Sequence, residues 1–161
     1  MVASARLGKQ ERDTLASRPW TETIQDKWTI NEEESEDAKK KLIALVTSDK
    51  GLCGSLNSQL IRPIQEELKG DVDAKIACLG LKGRNGLMTS NGKDLWFQVA
   101  EIGASPPTFL EAGWIVDQMF NNEELKEGLE FDLIRLTYNK YHNRQSTLPT
   151  SAAFKSKEAF M

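Results

Sequence analysis

Leu42-Ile-Ala-Leu-Val-Thr-Ser-Asp-Lys-Gly-Leu-Cys-Gly-Ser-Leu-Asn57 decides the fold. Its first five residues, Leu42–Val46, are apolar with no polar alternation. Strands covered by helices on both faces read this way. The run then breaks into a turn holding Asp49, Lys50, Gly51 and Gly54. Leu56, Leu60, Ile61, Ile64 and Leu68 follow at helical spacing. Strand, glycine turn and helix in that order open a βαβ unit. In α/β proteins such a turn lies at the carboxyl end of the sheet, where ligands and partners are met.

The remaining chain alternates in the same way. Lys75–Gly80 and Leu95–Ile102 read as strands two and three, and Phe131–Tyr138 as strand four, with an edge strand near Thr150–Phe154. The first helix spans roughly Asn57–Lys69, with Pro63 inside it, which predicts a kink or a later start. Glycines and asparagines near Leu87 predict only a short helix there. Ser105-Pro-Pro-Thr108 turns the chain, and Thr108 with Glu111 matches a capping box. The helix that follows is expected to bury Phe109, Ala112, Gly113, Val116, Met119 and Phe120. The fold class is therefore α/β: a Rossmann-like, mostly parallel sheet with flanking helices.

Before the sheet, residues 1–18 form a helix with a thin apolar stripe, which Pro19 is expected to close. Residues 19–41 are an acidic connector carrying Glu32, Glu33, Glu34, Glu36 and Asp37. Block charge of this kind is a solvated segment. Trp20 and Trp28 are expected to anchor onto a neighbouring surface. Residues 42–161 form the α/β domain.

With 161 residues, 39% of them apolar, one domain with a sizeable core is expected. A net charge of −3 argues against a general nucleic-acid binder. Two cysteines, Cys53 and Cys78, are too few for a disulfide framework, and with a single histidine no metal-ligand spacing is present.

Chemistry could reside only in Asp49-Lys50-Gly51-Leu52-Cys53-Gly54. As a phosphate cradle it fits neither G-x-G-x-x-G nor G-x-x-x-x-G-K-[ST]. As a thiol site, Cys53 near a helix start beside Lys50 needs a base, and His142 lies far along the chain. A serine elbow is excluded by the lack of G-x-S-x-G. The plain reading is a tight strand-to-helix turn, with Asp49 or Ser55 capping the helix and Cys53 packed. The residues alone predict no catalytic, cofactor-binding or metal site.

Thr47-Ser-Asp-Lys-Gly-Leu-Cys-Gly-Ser-Leu-Asn-Ser58 closely resembles the signature stretch of the gamma subunit of F-type ATP synthases. Pro106-Pro-Thr-Phe109 is similar to the helix start of the family's mitochondrial members. Phe131-Asp-x-Ile-x-x-x-Tyr-Asn-Lys-Tyr141 is similar to one of its strands, and Met1-Val-Ala-Ser-Ala-Arg6 to the late part of its N-terminal helix.

The resemblance implies a noncatalytic rotor subunit of the central stalk, coupling proton-driven ring rotation to ATP synthesis at the beta subunits. Its implied partners are the alpha and beta subunits of the catalytic ring, small stalk subunits of delta or epsilon type, and the membrane c-ring, with no nucleic acid and no cofactor. The motif turn, Asp49, Lys50, Gly51, Leu52, Cys53, Gly54 and Asn57, then serves structure or an interface. Most of the family's two shaft helices has no counterpart here. That fits a fragment, an incomplete sequence or a subunit split between two chains, with a second chain supplying the missing helix. The implied location is the matrix side of the mitochondrial inner membrane, with a bacterial membrane as the alternative. A small α/β enzyme or anion-binding module using the Cys53 turn is the competing expectation.

Overall fold

The computed structural model describes residues 2–30, 38–70, 73–102, 107–121 and 131–155, with side chains from Leu7 onward. Four helices, α1 (Val2–Trp28), α2 (Ser58–Glu67), α3 (Leu81–Asn91) and α4 (Phe109–Asn121), accompany five strands. The strands are β1 (Lys40–Val46), β2 (Asp73–Leu79), β3 (Leu95–Val99), β4 (Leu133–Asn143) and β5 (Ser146–Lys155). The acidic cluster Glu32–Asp37, Ser105 and Pro106 lie outside the described residues.

Both faces of β1 are covered, which is why no polar residue interrupts it. Ile43 and Leu45 join Leu60, Ile64, Ile76, Cys78 and Leu87 beneath α2 and α3. Leu42 joins Ala77, Ile115, Met119 and Phe131 on the opposite face, beneath α4. Each fully buried Leu or Ile contributes about 1.5–3 kcal/mol of transfer free energy. Trp96 meets Phe131 edge-on at 5.7 Å beside the second cluster.

The sheet order is β3-β2-β1-β4-β5. β1 pairs in parallel with β2, Ile43 beside Ile76, and with β4, Leu42 beside Ile134. β3 is parallel to β2, and β5 closes the other side antiparallel to β4. The chain thus leaves β1 toward β2 and β3 and returns to β4 on β1's other flank. This is a doubly wound, Rossmann-like arrangement with its topological switch point between β1 and β4.

Several expected boundaries move, each for a physical reason. Pro19 does not close α1, and the helix runs on to Trp28, so the division drawn at residue 18 shifts by ten residues or so. Proline removes the bond to the Leu15 carbonyl, but Leu15 and Pro19 are both exposed, so water can serve that carbonyl. Pro63 likewise lies inside α2, which starts at Ser58. α3 is an 11-residue helix despite Gly83 and Gly86. A Cβ on Gly86 would meet Ile61 Cδ1 at 2.8 Å, so that glycine lets α2 and α3 approach. β3 stops at Val99, short of Ile102, and Glu101 turns to φ 65°.

The core face of α4 is Ile115 and Met119, with Phe120 partly buried, rather than the expected stripe. Ala112, Gly113 and Val116 are exposed, and Phe109 is 77% exposed, meeting Trp20 edge-on at 5.1 Å. The capping box at its start is formed: Thr108 N–H donates to Glu111 Oε2 at 3.0 Å, and Glu111 N–H to Thr108 Oγ1 at 3.2 Å. β4 and β5 form one long hairpin, where the pattern predicted strand four only to Tyr138 and an edge strand only near Thr150–Phe154. Among the described residues no helix is long and apolar enough to cross a membrane.

Gly80 is the most constrained position of the fold. It adopts φ 116°, and a Cβ there would stand 2.2 Å from the Thr47 carbonyl oxygen. Gly80→Ala is expected to destabilise by more than about 3 kcal/mol, the upper range for backbone strain with a steric clash added. Gly92→Ala, at φ −58° in open space, should be neutral or stabilise by about 0.5 kcal/mol. Urea-unfolding midpoints of the two variants compare these effects.

Candidate functional site

The turn after β1 is built by three consecutive residues that cap a helix distant in sequence. The first N–H groups of any helix lack intrahelical partners. In α3 they are met from across the sheet. Asp49 Oδ1 accepts from Leu81 N–H at 2.9 Å, the Ser48 carbonyl from Lys82 N–H at 3.1 Å, and Thr47 Oγ1 from Gly83 N–H at 2.8 Å. Thr47 N–H donates to the Leu79 carbonyl at 2.8 Å, continuing the β1–β2 ladder to the last residue before Gly80. The Asp49 carboxylate also faces the positive end of the α3 dipole. The expected cap by Asp49 or Ser55 on the following helix is therefore corrected: Asp49 caps the next helix but one in the chain, α3.

Asn57 closes the turn from its other end. Its Oδ1 accepts from Ser48 N–H at 3.1 Å, and its amide donates to Ser48 Oγ at 2.9 Å. It shows no side-chain cap bond to α2. The α2 start is served by its own backbone instead, with Gln59 N–H donating to Ser55 and Leu60 N–H to Asn57. Gly54 takes φ 58°, the left-handed conformation that glycine accepts without strain. Leu52 takes φ 63° with a fully exposed apolar side chain at the tip. Lys82 reaches across toward Gly51, its Nζ 3.4 Å from where a Gly51 Cβ would sit.

Cys53 is partly exposed, and its Sγ donates to the Lys50 carbonyl at 3.2 Å and the Gly51 carbonyl at 3.3 Å. Ser48 Oγ is its other polar neighbour, at 3.6 Å. None of these partners is a base. His142 is exposed on β4 and makes no bond to Cys53. Cys78 is fully buried in β2, and burial pushes its thiol up to about 11. Among the described residues no group of three His, Cys, Asp or Glu could hold a metal ion.

Sequence reasoning overlooked the switch point itself. Asn139 of β4 donates to the Leu56 carbonyl at 2.7 Å, and Gln59 of α2 donates to Asn139 Oδ1 at 2.6 Å and Thr147 Oγ1 at 3.3 Å. The crevice where this fold class takes its ligands is thus crossed by side-chain amides. An open, mostly polar hollow remains beside it, between Cys53–Leu56 and Tyr141, Arg144 and Thr147. The arrangement holds elements together and presents no nucleophile–base pair.

Two outcomes follow from this geometry. Asp49→Ala should cost about 1 kcal/mol, as loss of a helix cap does, and Asp49→Asn should recover most of it by keeping the acceptor; thermal unfolding of both variants measures this. A maleimide should label one thiol of the native chain, Cys53, and two after denaturation, read by mass spectrometry.

The ATP synthase family profile matches residues 1–158. The chain is 36% identical over 157 residues to the mitochondrial ATP synthase subunit gamma of Drosophila melanogaster, covering 92% of this chain and 51% of that protein. It is 30% identical over 163 residues to the ATP synthase gamma chain of Pasteurella multocida, covering 92% of this chain and 55% of that one. The chain therefore spans about half the length of these relatives. Its fold is similar to a chain in the central stalk and c-ring of Tetrahymena thermophila mitochondrial ATP synthase, with a TM-score of 0.77 at 22% identity, covering 99% of this chain and 71% of that chain. A motif turn folded as an internal cap, an α/β sheet of the same architecture and a profile match along nearly the whole length lead to one conclusion: the chain belongs to the ATP synthase gamma-subunit family.

Proposed function

We propose that this chain is the α/β foot of an ATP synthase central stalk, a noncatalytic rotor part of the enzyme complex. The observation that carries the reading is the family match over residues 1–158. The geometry supports it, because the switch-point crevice is crossed by Asn139 and Gln59. In this reading the work is mechanical. A sheet buried on both faces gives stiffness, and exposed features dock the foot to its neighbours.

The proposed partners are the alpha and beta subunits of the catalytic ring, small stalk subunits and the c-ring. The proposed location is the matrix side of the mitochondrial inner membrane, by analogy with the mitochondrial relatives. The motif turn supplies an interface in this reading. Leu52 stands at its tip, fully exposed, on a backbone conformation that costs a non-glycine residue energy. An exposed leucine held that way suits contact with another subunit. The competing reading, a small enzyme or anion site at Cys53, has no favouring observation, since the polar partners of the Cys53 thiol are two carbonyls and the Ser48 hydroxyl and none is a base.

Affinity purification of the tagged native protein under mild detergent tests the reading. Alpha, beta and ring subunits should co-migrate with it, and migration alone would overturn the assignment. Within the complex, Cys53→Ala is expected to leave ATP synthesis within about two-fold of normal, since a partly exposed cysteine to alanine change removes little packing.

A further inference from the structure

Helix α1 touches the sheet in an unusual way. No residue of α1 belongs to either apolar cluster among the described residues. Among its contacts with the β4–β5 hairpin is a row of polar, regularly spaced ones. Tyr141 Oη donates to Glu11 Oε1 at 2.7 Å, while Arg144 Nε and one terminal nitrogen donate to Glu11 Oε2 at 3.0 and 2.8 Å. Arg18 donates to the Tyr141 carbonyl at 2.7 Å. Glu22 and Lys140 stand 3.6 Å apart, and Gln25 donates to Tyr138 Oη at 2.8 Å.

The spacing 11, 18, 22, 25, 29 is that of a and d positions in a heptad, so these side chains share one face of the helix. In a coiled coil that seam is apolar. Here it is filled with charges and amides. At the end of the seam Thr29 and Ile30 join the sheet beside β5, Ile30 N–H donating to the Ala153 carbonyl at 2.9 Å. The Trp20–Phe109 edge contact involves two rings that are each more than half exposed.

We propose that this seam is a releasable clasp: α1 swings off the β4–β5 hairpin about the Thr29–Ile30 pair while the sheet stays folded. The inference goes beyond the stalk reading and stands without it. Releasing α1 exposes little apolar surface, so the hydrophobic effect offers little resistance. What resists is two partly exposed ion pairs, Glu11–Arg144 and Glu22–Lys140, each small and screened by salt, together with single hydrogen bonds of Tyr141, Arg18 and Gln25. The Arg144 bond holds the Glu11 carboxyl below the usual glutamate range, so the pair is ionised at neutral pH. Once off the hairpin, a helix without a buried face is marginal in water, and its amides exchange.

Hydrogen exchange on the purified chain, resolved to peptides by mass spectrometry, tests the clasp. Raising salt from about 0.1 M to about 1 M shortens the Debye length from about 10 to about 3 Å. Exchange in residues 11–28 should rise by about ten-fold, with β1 and β2 unchanged, because the seam includes partly exposed ion pairs whereas β1 and β2 are held by the strand ladder and the buried core. Glu11→Gln should raise α1 exchange at low salt, and the exchanged pair Glu11→Arg with Arg144→Glu should restore both protection and salt dependence. Equal loss of protection in α1 and β1 would overturn the proposal, as would salt-independent exchange in α1 or its complete lack of protection at low salt. Co-purification with other subunits has no bearing on any of these readouts, so failure here and failure of the stalk reading are separable.

Discussion

The close approach of the Thr47 carbonyl to Gly80 is the constraint on which the rest of the domain depends. It sets where β1 ends relative to β2, because a Cβ at residue 80 would stand 2.2 Å from that oxygen. Once the two strand ends are that close, Thr47, Ser48 and Asp49 fall in register with the first three N–H groups of α3. Three buried or half-buried donors are satisfied together, and leaving any one unmet would cost about 1–3 kcal/mol. The same lock places α3 against α2, where Gly86 admits Ile61. A residue that looks like turn punctuation therefore governs strand length, helix start and helix packing at once.

That lock also gives the polar residues of the motif turn a structural task. Glycines, an acid, a lysine and a cysteine at a strand-to-helix junction match the composition of phosphate and thiol sites. The decisive difference is occupancy. The dipole of α3, the helix beside the turn, faces the Asp49 carboxylate. The thiol that would attack donates to two carbonyls, Lys50 and Gly51. The crevice that would hold a substrate is crossed by Asn139 and Gln59. The Asp49 carboxylate, the Cys53 thiol and the Asn139 amide each have an internal partner.

What was legible in the amino-acid order was whatever depended on neighbours in the chain. Leu42–Val46 reads as a doubly covered strand because burial on both faces leaves no place for a polar residue. Thr108 and Glu111 cap α4 as their three-residue spacing requires. What stayed hidden depended on distant residues. Asp49 reads as a cap for α2, since nothing local shows that Leu81 lies beside it. Pro19 reads as a helix end, since its exposure is a tertiary fact. Phe109 reads as core, yet Trp20 meets it at the rim. The polar residues from Asn139 to Thr147 fall outside the strands expected from the pattern, because their side-chain partners lie on α1 and α2 rather than on a buried face.

The hairpin formed by those residues links the two halves of the argument. On one side it is fastened to the motif turn through Asn139 and Leu56, in half-buried positions where a hydrogen bond persists in salt. On the other it holds α1 through Glu11, Arg18, Glu22 and Gln25, in part by two ion pairs that salt screens. The two attachments differ in kind, so they respond differently to the same load. The side facing the turn moves with the sheet, and the side facing α1 yields first. A domain with an apolar seam under α1 would be a single rigid body. Placing charges at the heptad positions instead puts a soft joint between a long helix and a stiff sheet, and does so without loosening the sheet.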